Sequence, residues 1–210
     1  MNIKSRAIVL NSLRYGDDSL IVALFVEKLG RQSVFIKKTK NKQSGMRLAL
    51  FQPLQIVEAD FIHREKRQLQ QIKNTQIFYH FYNIPFNPVK CCIAIFIAEI
   101  LYKTLKEENK NVDLFEFLLQ TIQTLDLNNT GTANFHIAFL IHYSRYLGFS
   151  LKHENILPQN FEIHFQNIDK LKLNRIQRNN ITEILLERYA LHVDNFGKLK
   201  SFPVLQSVFS

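Results

Sequence analysis

The sequence predicts an α+β protein in which a small β-barrel is followed by an all-helical part. In the first 80 residues, β-branched and apolar residues form short runs separated by turn-like segments, as in strands. From Pro88 onwards, apolar residues recur at the three- and four-residue spacing of a helix. A chain of 210 residues is long enough for two small domains, and we predict them at 1–80 and 81–210.

Five segments of the first domain are predicted to be strands. They are residues 3–14, 19–28, 31–38, 49–62 and 68–78. Turn-forming residues at 15–18 and at Leu29-Gly30 separate the first three strands, and Pro53 indicates an edge or a bulge near the start of the fourth. Five strands with hairpin-length connections favour a barrel of the oligonucleotide-binding (OB) type, with an SH3-like barrel as the main structural alternative.

The third strand has an informative alternation. One face carries Gln32, Val34, Ile36 and Lys38, and the other carries Arg31, Ser33, Phe35 and Lys37. Side chains two residues apart lie on the same face of a strand. We predict that the first face lines the barrel interior and that the second presents an aromatic ring between cations to solvent or to a ligand.

Helical spacing in the second domain predicts five helices. They are residues 89–106, 113–127, 133–147, 175–191 and a short terminal helix at 201–209. In the third helix, one face is expected to carry Phe135, Ala138, Phe139, His142 and Tyr146. Gly148 is expected to end this helix. Residues 149–174 show no clear period and are predicted to be irregular.

Residues at the predicted helix starts suggest their caps. Asn87 and Pro88 suit the cap and the first turn of the first helix. Asp113 and Glu116, three residues apart, have the pattern of a capping box. Ser201 is placed to cap the terminal helix.

The positive charge of the chain is concentrated in the first domain. The formal net charge is +9; residues 1–80 hold 14 Lys and Arg against 6 Asp and Glu, whereas residues 81–210 hold 13 against 12. Residues 31–47 carry six cations and no acid. Such an excess favours a polyanionic partner, nucleic acid above all, and the plain alternative for 31–47 is a solvated loop that keeps the protein in solution.

No catalytic motif is found. The six glycines form neither a GxGxxG nor a GxxxxGK[ST] phosphate loop, and no GxSxG elbow is present. The seven histidines include no HExxH pair. We therefore predict that the chain is not an enzyme.

The cysteines and the hydropathy pattern indicate the compartment. Cys91 and Cys92 are adjacent in an apolar helical pattern and are predicted to be buried free thiols, which fits a reducing environment. The N-terminal residues lack the pattern of a signal peptide, and no run of about 18 apolar residues occurs. We predict a cytoplasmic protein without membrane contact.

A nucleic-acid site on an OB barrel needs cations for phosphates and aromatic rings for the faces of bases. The predicted DNA-binding residues are Arg14, Arg31, Phe35, Lys37, Lys38, Lys40, Lys42, Arg47, Arg64, Lys66 and Arg67. Tyr15 and Phe61 are further candidates for stacking. Core packing is favoured for Phe61, and for Phe35 both roles are open.

Four segments resemble a known family. They are AIVLNSLRYGDDSLIVALFVEKLGRQSVFIKK near the start, AEILYKTLKEENKNVDLFEFLLQTIQTLD at 98–126, RYLGF at 145–149 and LKSFPVLQSVF at 199–209. In order and spacing they resemble the RecO family of bacterial DNA repair proteins. The resemblance covers nearly the whole chain, although no single motif is diagnostic.

The resemblance implies an N-terminal OB domain and a helical C-terminal domain. It implies a recombination mediator that binds single- and double-stranded DNA and anneals complementary strands. The implied partners are RecR and the acidic, apolar C-terminal tail of the single-strand-binding protein. Such a tail suits a pocket in the helical part with a basic rim, for which Lys152, Arg175 and Arg178 are candidates.

The chain departs from the family in one respect. Many members carry a four-cysteine zinc cluster after the position that matches Gly148-Phe149, whereas residues 149–210 here contain no cysteine. A tetrahedral thiolate site cannot form without cysteines. We therefore predict that no zinc and no other cofactor is bound, and that packing holds residues 149–174 instead.

The sequence thus predicts a non-enzymatic mediator of DNA repair and recombination that helps to load a recombinase. Two alternatives remain at this point. One is a general RNA-binding OB protein, and the other is a protein–protein adaptor whose basic loop is only solvated.

Overall fold

The computed structural model describes residues 2–16, 19–37, 50–64, 67–106, 110–151, 156–157 and 161–209. Contacts between residues group the chain into two compact units. The first comprises Met1–His80 and Leu105–Gln120, and the second comprises Phe81–Thr104 and Thr121–Ser210. Residues 105–120, which we assigned to the helical domain on sequence grounds, therefore group with the barrel.

The first unit is built on a closed five-stranded barrel, which confirms the predicted OB-type fold. Its strands are β1 (Asn2–Arg14), β2 (Ser19–Val26), β3 (Gly30–Lys37), β4 (Ile56–Ile62) and β5 (Leu69–Tyr79). Their order around the barrel is β1-β2-β3-β5-β4. The β3–β5 pairing is parallel, and the other four pairings are antiparallel.

Alternate residues of the five strands fill the barrel. Val34 is fully buried and Ile36 packs against the same cluster, as the alternation in the third strand predicts. Gln32 is also buried, and its side-chain amide donates to the Leu29 carbonyl at 3.0 Å. A buried amide needs such a partner, because leaving it unpaired costs free energy. The remaining interior is aliphatic with Phe51 and Phe61.

The fourth strand begins later than predicted. We expected it at 49–62, but it starts at Ile56, and residues 50–54 form turns. Leu54 has φ 62°, in the left-handed region that breaks a strand. Its N–H donates to the Val9 carbonyl at 2.8 Å, and its side chain is fully buried. The apolar character of this segment thus reflects a buried turn and not an extended strand.

Arg6 of β1 organises the outside of the first unit. Its guanidinium makes two hydrogen bonds to the Glu27 carboxylate, at 2.9 and 2.7 Å, and a further one to Glu116. It also lies over the rings of Phe78 and Phe115, 5.3 and 5.2 Å from their centroids. The hydrogen bonds from Arg6 hold the pKa of Glu27 below its usual range. One side chain therefore joins β1, the β2–β3 turn, β5 and residues 115–116.

The helices are α1 (Pro88–Thr104), α2 (Val112–Leu127), α3 (Phe135–Tyr143), α4 (Arg175–His192) and α5 (Ser201–Val208). Short 3-10 turns occupy Ile84–Phe86, Thr132–Asn134 and Ser144–Leu147. Gly148, with φ 84°, ends the 3-10 turn that continues α3, as predicted. No helix in the described residues is both long enough and apolar enough to span a membrane.

The helix caps agree with the sequence in one case and differ in two. Asn87 caps α1, since its Oδ1 accepts the Lys90 N–H at 3.1 Å. For α2 the capping oxygen comes from Asn111, which accepts the Leu114 N–H at 2.9 Å, and Asp113 lies within the first turn. For α5 the cap comes from a different helix: Glu99 of α1 accepts the Ser201 N–H at 2.8 Å and its hydroxyl at 2.6 Å. Such a tertiary cap has no local pattern.

Asp126, near the end of α2, holds the start of the second unit. The side chain is fully buried, and its carboxylate accepts the N–H groups of Tyr82, Asn83 and Ile84 at 2.8–2.9 Å. The Asp126 carbonyl accepts the buried Lys90 ammonium at 2.7 Å. These contacts satisfy polar groups that burial would otherwise leave unpaired.

Helix α3 is buried on nearly all sides, so its burial extends beyond the face that the spacing predicts. His136, outside the predicted face, is among its buried residues, and its Nε2 lies 2.9 Å from the Thr182 hydroxyl oxygen. The ring of Phe209 stacks on it at 5.6 Å. Burial, with a smaller effect of Arg178, lowers the pKa of His136 to about 3. The second unit therefore folds around a neutral imidazole.

The stability of the protein should depend on pH through His136. The unfolded chain takes up a proton on this residue below pH 6.5, whereas the folded chain does so only near pH 3. The free energy of unfolding should therefore be highest above pH 6.5 and should decrease by about 1.4 kcal/mol per pH unit as the pH falls towards 3. Urea denaturation at several pH values measures this dependence.

His136→Gln should remove this contribution and flatten the pH dependence, because a glutamine does not titrate. His80→Gln is the matched control, since His80 is exposed, and it should leave the dependence unchanged. Parallel curves for the native chain and His136→Gln would contradict the assignment.

Candidate nucleic-acid interface

The outer face of β3 carries the residues that the alternation places there. Phe35 is half-buried and Lys37 is exposed. Tyr15, which follows β1, meets Phe35 edge to face, with ring centroids 6.1 Å apart and planes at 79°. Tyr15 is itself 61% exposed. Two aromatic rings therefore lie together on the outside of the barrel, and Phe61, the third candidate, is a core residue as favoured.

Strand register extends this aromatic pair into a row. Leu13 of β1 is opposite Ile21 of β2, and Ile21 is opposite Phe35 of β3. Residues directly opposite each other point to the same side of a sheet. Leu13 is 60% exposed and Ile21 is half-buried. We name Leu13, Ile21, Phe35 and Tyr15 the outer row.

Sequence reasoning missed Leu13 and Ile21. β2 is apolar on both faces, so alternation alone does not single out Ile21, and Leu13 is an isolated apolar residue between Ser12 and Arg14. Only the hairpin register between β1 and β2 brings Leu13 next to Ile21.

Phe35 also lines a cavity of about 330 Å³. In the parallel pairing of β3 with β5, Ser33 is opposite Leu69 and Val34 is opposite Gln70. Beyond these pairs, Phe35 and Lys37 of β3 and Gln71, Lys73 and Thr75 of β5 line the cavity. Ile36 and Ile72, which pack against the core, also contribute to it.

Two of the predicted cations belong to a turn organised by one buried side chain. The Gln70 amide accepts the Arg64 N–H at 2.9 Å and donates to the carbonyls of Arg64 and Arg67 at 3.0 and 2.7 Å. The side chains of Arg64 and Arg67 are exposed. Since Gln70 also pairs with Val34, this turn lies beside β3. A polar residue in a weakly alternating strand gave no sequence signal for this role.

The other predicted cations divide into three groups. Arg14 and Lys37 are exposed at the ends of β1 and β3. Arg31 is half-buried, and its guanidinium donates to the Leu105 carbonyl, so part of its hydrogen-bonding capacity serves the fold. Five lie outside the described residues: Lys38, Lys40, Lys42, Arg47 and Lys66.

The side of the barrel formed by β1, β4 and β5 has a mixed charge. Lys4 forms an ion pair with Glu58 at 2.9 Å, and Asn74 donates to Asp60 at 2.7 Å. The Lys4–Glu58 contact raises the pKa of Lys4 and lowers that of Glu58. Glu58 and Asp60 therefore lie on this side, whereas the described residues 11–15, 19–25 and 31–37 contain no acid and Glu27 follows β2.

The second unit has a cavity of about 740 Å³ near the start of α4. Lys172, Asn174 and Arg178 are among the residues that line it. Arg178 donates to the Asn134 side chain at 3.0 Å and to the Leu173 carbonyl at 2.9 Å. Of the other rim candidates, Arg175 is exposed and Lys152 lies outside the described residues.

In the described ranges, no three His, Cys, Asp or Glu side chains are grouped as metal ligands would be. Cys91 and Cys92 are free thiols, although they are half-buried and not fully buried as predicted. His142 and His164 lie near each other, with ring centroids 5.6 Å apart. Phe165 packs against the same His142 ring at 5.3 Å, so this contact belongs to an aromatic cluster.

Comparison with known families gives two matches that together cover most of the chain. Residues 1–81 match the family model described as recombination protein O N terminal. Residues 85–156 match the model described as recombination protein O C terminal. The barrel and most of the helical part are thus each recognised separately.

Curated relatives match over the full length. The chain is 34% identical to the DNA repair protein RecO of Flavobacterium psychrophilum, with 100% of both chains covered. It is 31% identical to that of Phocaeicola vulgatus, with 99% of each chain covered, and 32% identical to that of Bacteroides fragilis, with 98% of each covered. The chain therefore belongs to the recombination protein O (RecO) family of DNA repair proteins.

Proposed function

We propose that the chain is a non-enzymatic recombination mediator that binds single- and double-stranded DNA, anneals complementary strands and helps to load a recombinase. The observation that carries this proposal is the cationic and aromatic outer face of β3. Phe35 and Lys37 lie there, beside the turn that exposes Arg64 and Arg67. We place this activity in the cytoplasm, in association with the nucleoid.

The distribution of charge supports contact with the phosphate backbone. The excess of eight positive charges in residues 1–80 lies in the part of the chain that forms the barrel. Cations that neutralise phosphates release counterions, so such binding is largely independent of sequence and falls steeply with salt. Two strands held by their backbones keep most of their bases free to pair, and the protein's cations screen the repulsion between them.

Replacing Lys37, Lys38, Lys40 and Lys42 together by alanine should weaken DNA binding at low salt by tenfold or more. Each lost phosphate contact should also reduce the slope of log affinity against log salt by about 0.7 for a single strand. Fluorescence anisotropy with a labelled oligonucleotide at 50–200 mM salt, the range in which electrostatic binding changes most, measures both quantities.

The matched control replaces four exposed cations of the second unit, Arg145, Lys170, Lys198 and Lys200. This variant has the same net charge and should retain most of the affinity. Equal losses for the two variants would show that net charge alone matters. Unchanged binding by the first variant would exclude the proposed surface, and tighter binding of RNA than of DNA in competition would favour the RNA-binding alternative.

We propose that the cavity near α4 receives the C-terminal tail of the single-strand-binding protein, and that RecR is a second partner. Lys172 and Arg178 line this cavity, and Arg175 is exposed in the first turn of α4. Such a rim suits an acidic, apolar peptide. Arg178 is already held by Asn134 and Leu173, so it supplies a fixed charge.

Annealing of strands coated with single-strand-binding protein should depend on its acidic tail. Charge reversal by Lys172→Glu and Arg175→Glu should remove that dependence while leaving annealing of naked strands unchanged. A strand-annealing assay with intact and tail-less protein measures the effect. If the native chain anneals strands coated with intact and with tail-less single-strand-binding protein equally well, the tail site is refuted. If the chain does not co-elute with RecR, the second partner is refuted.

We propose that packing replaces zinc in residues 149–174. Phe165 stacks near Phe135 with ring centroids 4.9 Å apart, and Ile163, Ile168 and Leu171 are buried. Asn134 also donates to the Leu171 carbonyl at 2.6 Å. These contacts stabilise the folded segment, a role that metal–ligand binding has in a structural zinc site.

Purified protein should accordingly contain substoichiometric zinc, and a chelator should leave its melting temperature unchanged. Elemental analysis and thermal denaturation with and without EDTA measure these properties. A family member with four cysteines is the positive control. One zinc per chain, lost together with stability, would refute the proposal.

A further inference from the structure

We propose that the outer row is a stacking platform for unpaired nucleobases, so that single strands bind through a few bases as well as through phosphates. This inference rests on the proposed function and assigns a ligand to a surface that charge alone does not explain. The row consists of Leu13, Ile21 and Phe35 on three neighbouring strands, with Tyr15 against Phe35.

The row is apolar, yet it lies on the outside of the barrel. The core is filled by the opposite faces of the same strands, including Val22 and Val34. Leu13 and Tyr15 are more than half exposed, so the row contributes little to that core. Exposed apolar side chains that lie together, and not singly, are a common feature of binding surfaces.

Charge around the row identifies the occupant as a polyanion with apolar parts. Lys37 follows Phe35 by two positions on the same face of β3, and Arg14, which pairs with Leu20 and not with the row, is exposed at the end of β1 beside Tyr15 in sequence. The described segments 11–15, 19–25 and 31–37 hold no acidic residue; Asp17 and Asp18 lie outside the described residues. An apolar protein surface does not require such flanking cations, whereas a nucleotide presents a base face beside a phosphate.

The geometry favours an unpaired strand. In a duplex the base faces are covered by their stacked neighbours, so an aromatic platform reaches them only where the strand is single. Aromatic stacking of this kind is tolerant of sequence, because every base has a face. The row therefore adds affinity for single strands without selecting a sequence.

The row is also short. Neighbouring strands are about 4.8 Å apart, so Leu13 and Phe35 are separated by about 10 Å across the sheet. A platform of this length takes only a few bases, and the rest of the strand remains free to pair. Stacking on the row is thus compatible with annealing.

The test compares a labelled oligo(dT) with an abasic oligonucleotide of the same length. Both carry the same phosphates, and only the first carries bases. The native chain should bind oligo(dT) tighter by at least about tenfold, since one stacked base is sufficient for such a difference. Tyr15→Ala with Phe35→Ala should remove most of this difference and leave the affinity for the abasic strand unchanged.

Phe86→Ala is the matched control, because Phe86 is 82% exposed and lies in the second unit. It should keep the full preference for oligo(dT). If the double variant does not fold, as judged by circular dichroism, two single variants decide. Tyr15→Ala should reduce the preference for oligo(dT). In Phe35→Trp, the tryptophan fluorescence should be quenched by oligo(dT) but not by the abasic strand. The chain has no other tryptophan, so this signal reports on position 35 alone.

The outcomes separate this inference from the proposed function. If the native chain binds both oligonucleotides equally, the row does not stack bases and the inference is overturned, while DNA binding stands. If it binds neither at 50 mM salt, where electrostatic binding is strong, the proposed function itself fails. If the double variant loses affinity equally for both strands, the row acts only through the fold and the inference is again overturned.

Discussion

The first unit depends on the guanidinium of Arg6. It is held on both sides by carboxylates, Glu27 and Glu116, and its faces meet the rings of Phe78 and Phe115. A planar guanidinium with five donors makes bidentate ionic contacts at its edge and stacks on rings with its faces, a geometry that the compact lysine ammonium lacks. Because these partners come from the barrel and from residues 105–120, removal of Arg6 would leave the Glu27 carboxylate without its main partner and would expose Phe115. Together with the Phe25–Phe115 ring contact and the Arg31–Leu105 hydrogen bond, Arg6 connects residues 105–120 to the barrel.

The sequence predicted the fold well where local patterns carry the information. Periodicity placed the barrel before the helices, and Asn87 and Gly148 act as their local patterns indicate. The errors arose where contacts with residues distant in sequence determine the local conformation. Leu54 adopts a left-handed conformation in a turn that hydrogen-bonds to Val9, and α5 is capped by Glu99 from another helix. A short window of sequence contains neither contact.

The candidate interface also has some features that local sequence predicts and others that depend on distant residues. Alternation in one strand is sufficient to place Phe35 and Lys37 outside the barrel, because the period of a strand is local. The neighbours of Phe35 depend on the register of two hairpins, and the position of Arg64 and Arg67 depends on the buried amide of Gln70. These are long-range facts. Charge composition therefore indicated the kind of ligand, whereas register and hydrogen bonding define the surface that meets it.

The parallel closure between β3 and β5 has a consequence for dynamics. In the described residues it spans two register pairs, whereas the β1–β2 pairing spans seven. A barrel opens most readily where it has the fewest backbone hydrogen bonds, so amides at this seam should exchange with solvent before those of the β1–β2 hairpin. Lys37 and Lys73 lie on opposite sides of the seam. A bound DNA strand that contacts both lysines would hold β3 and β5 together. DNA binding would then slow amide hydrogen exchange along these two strands.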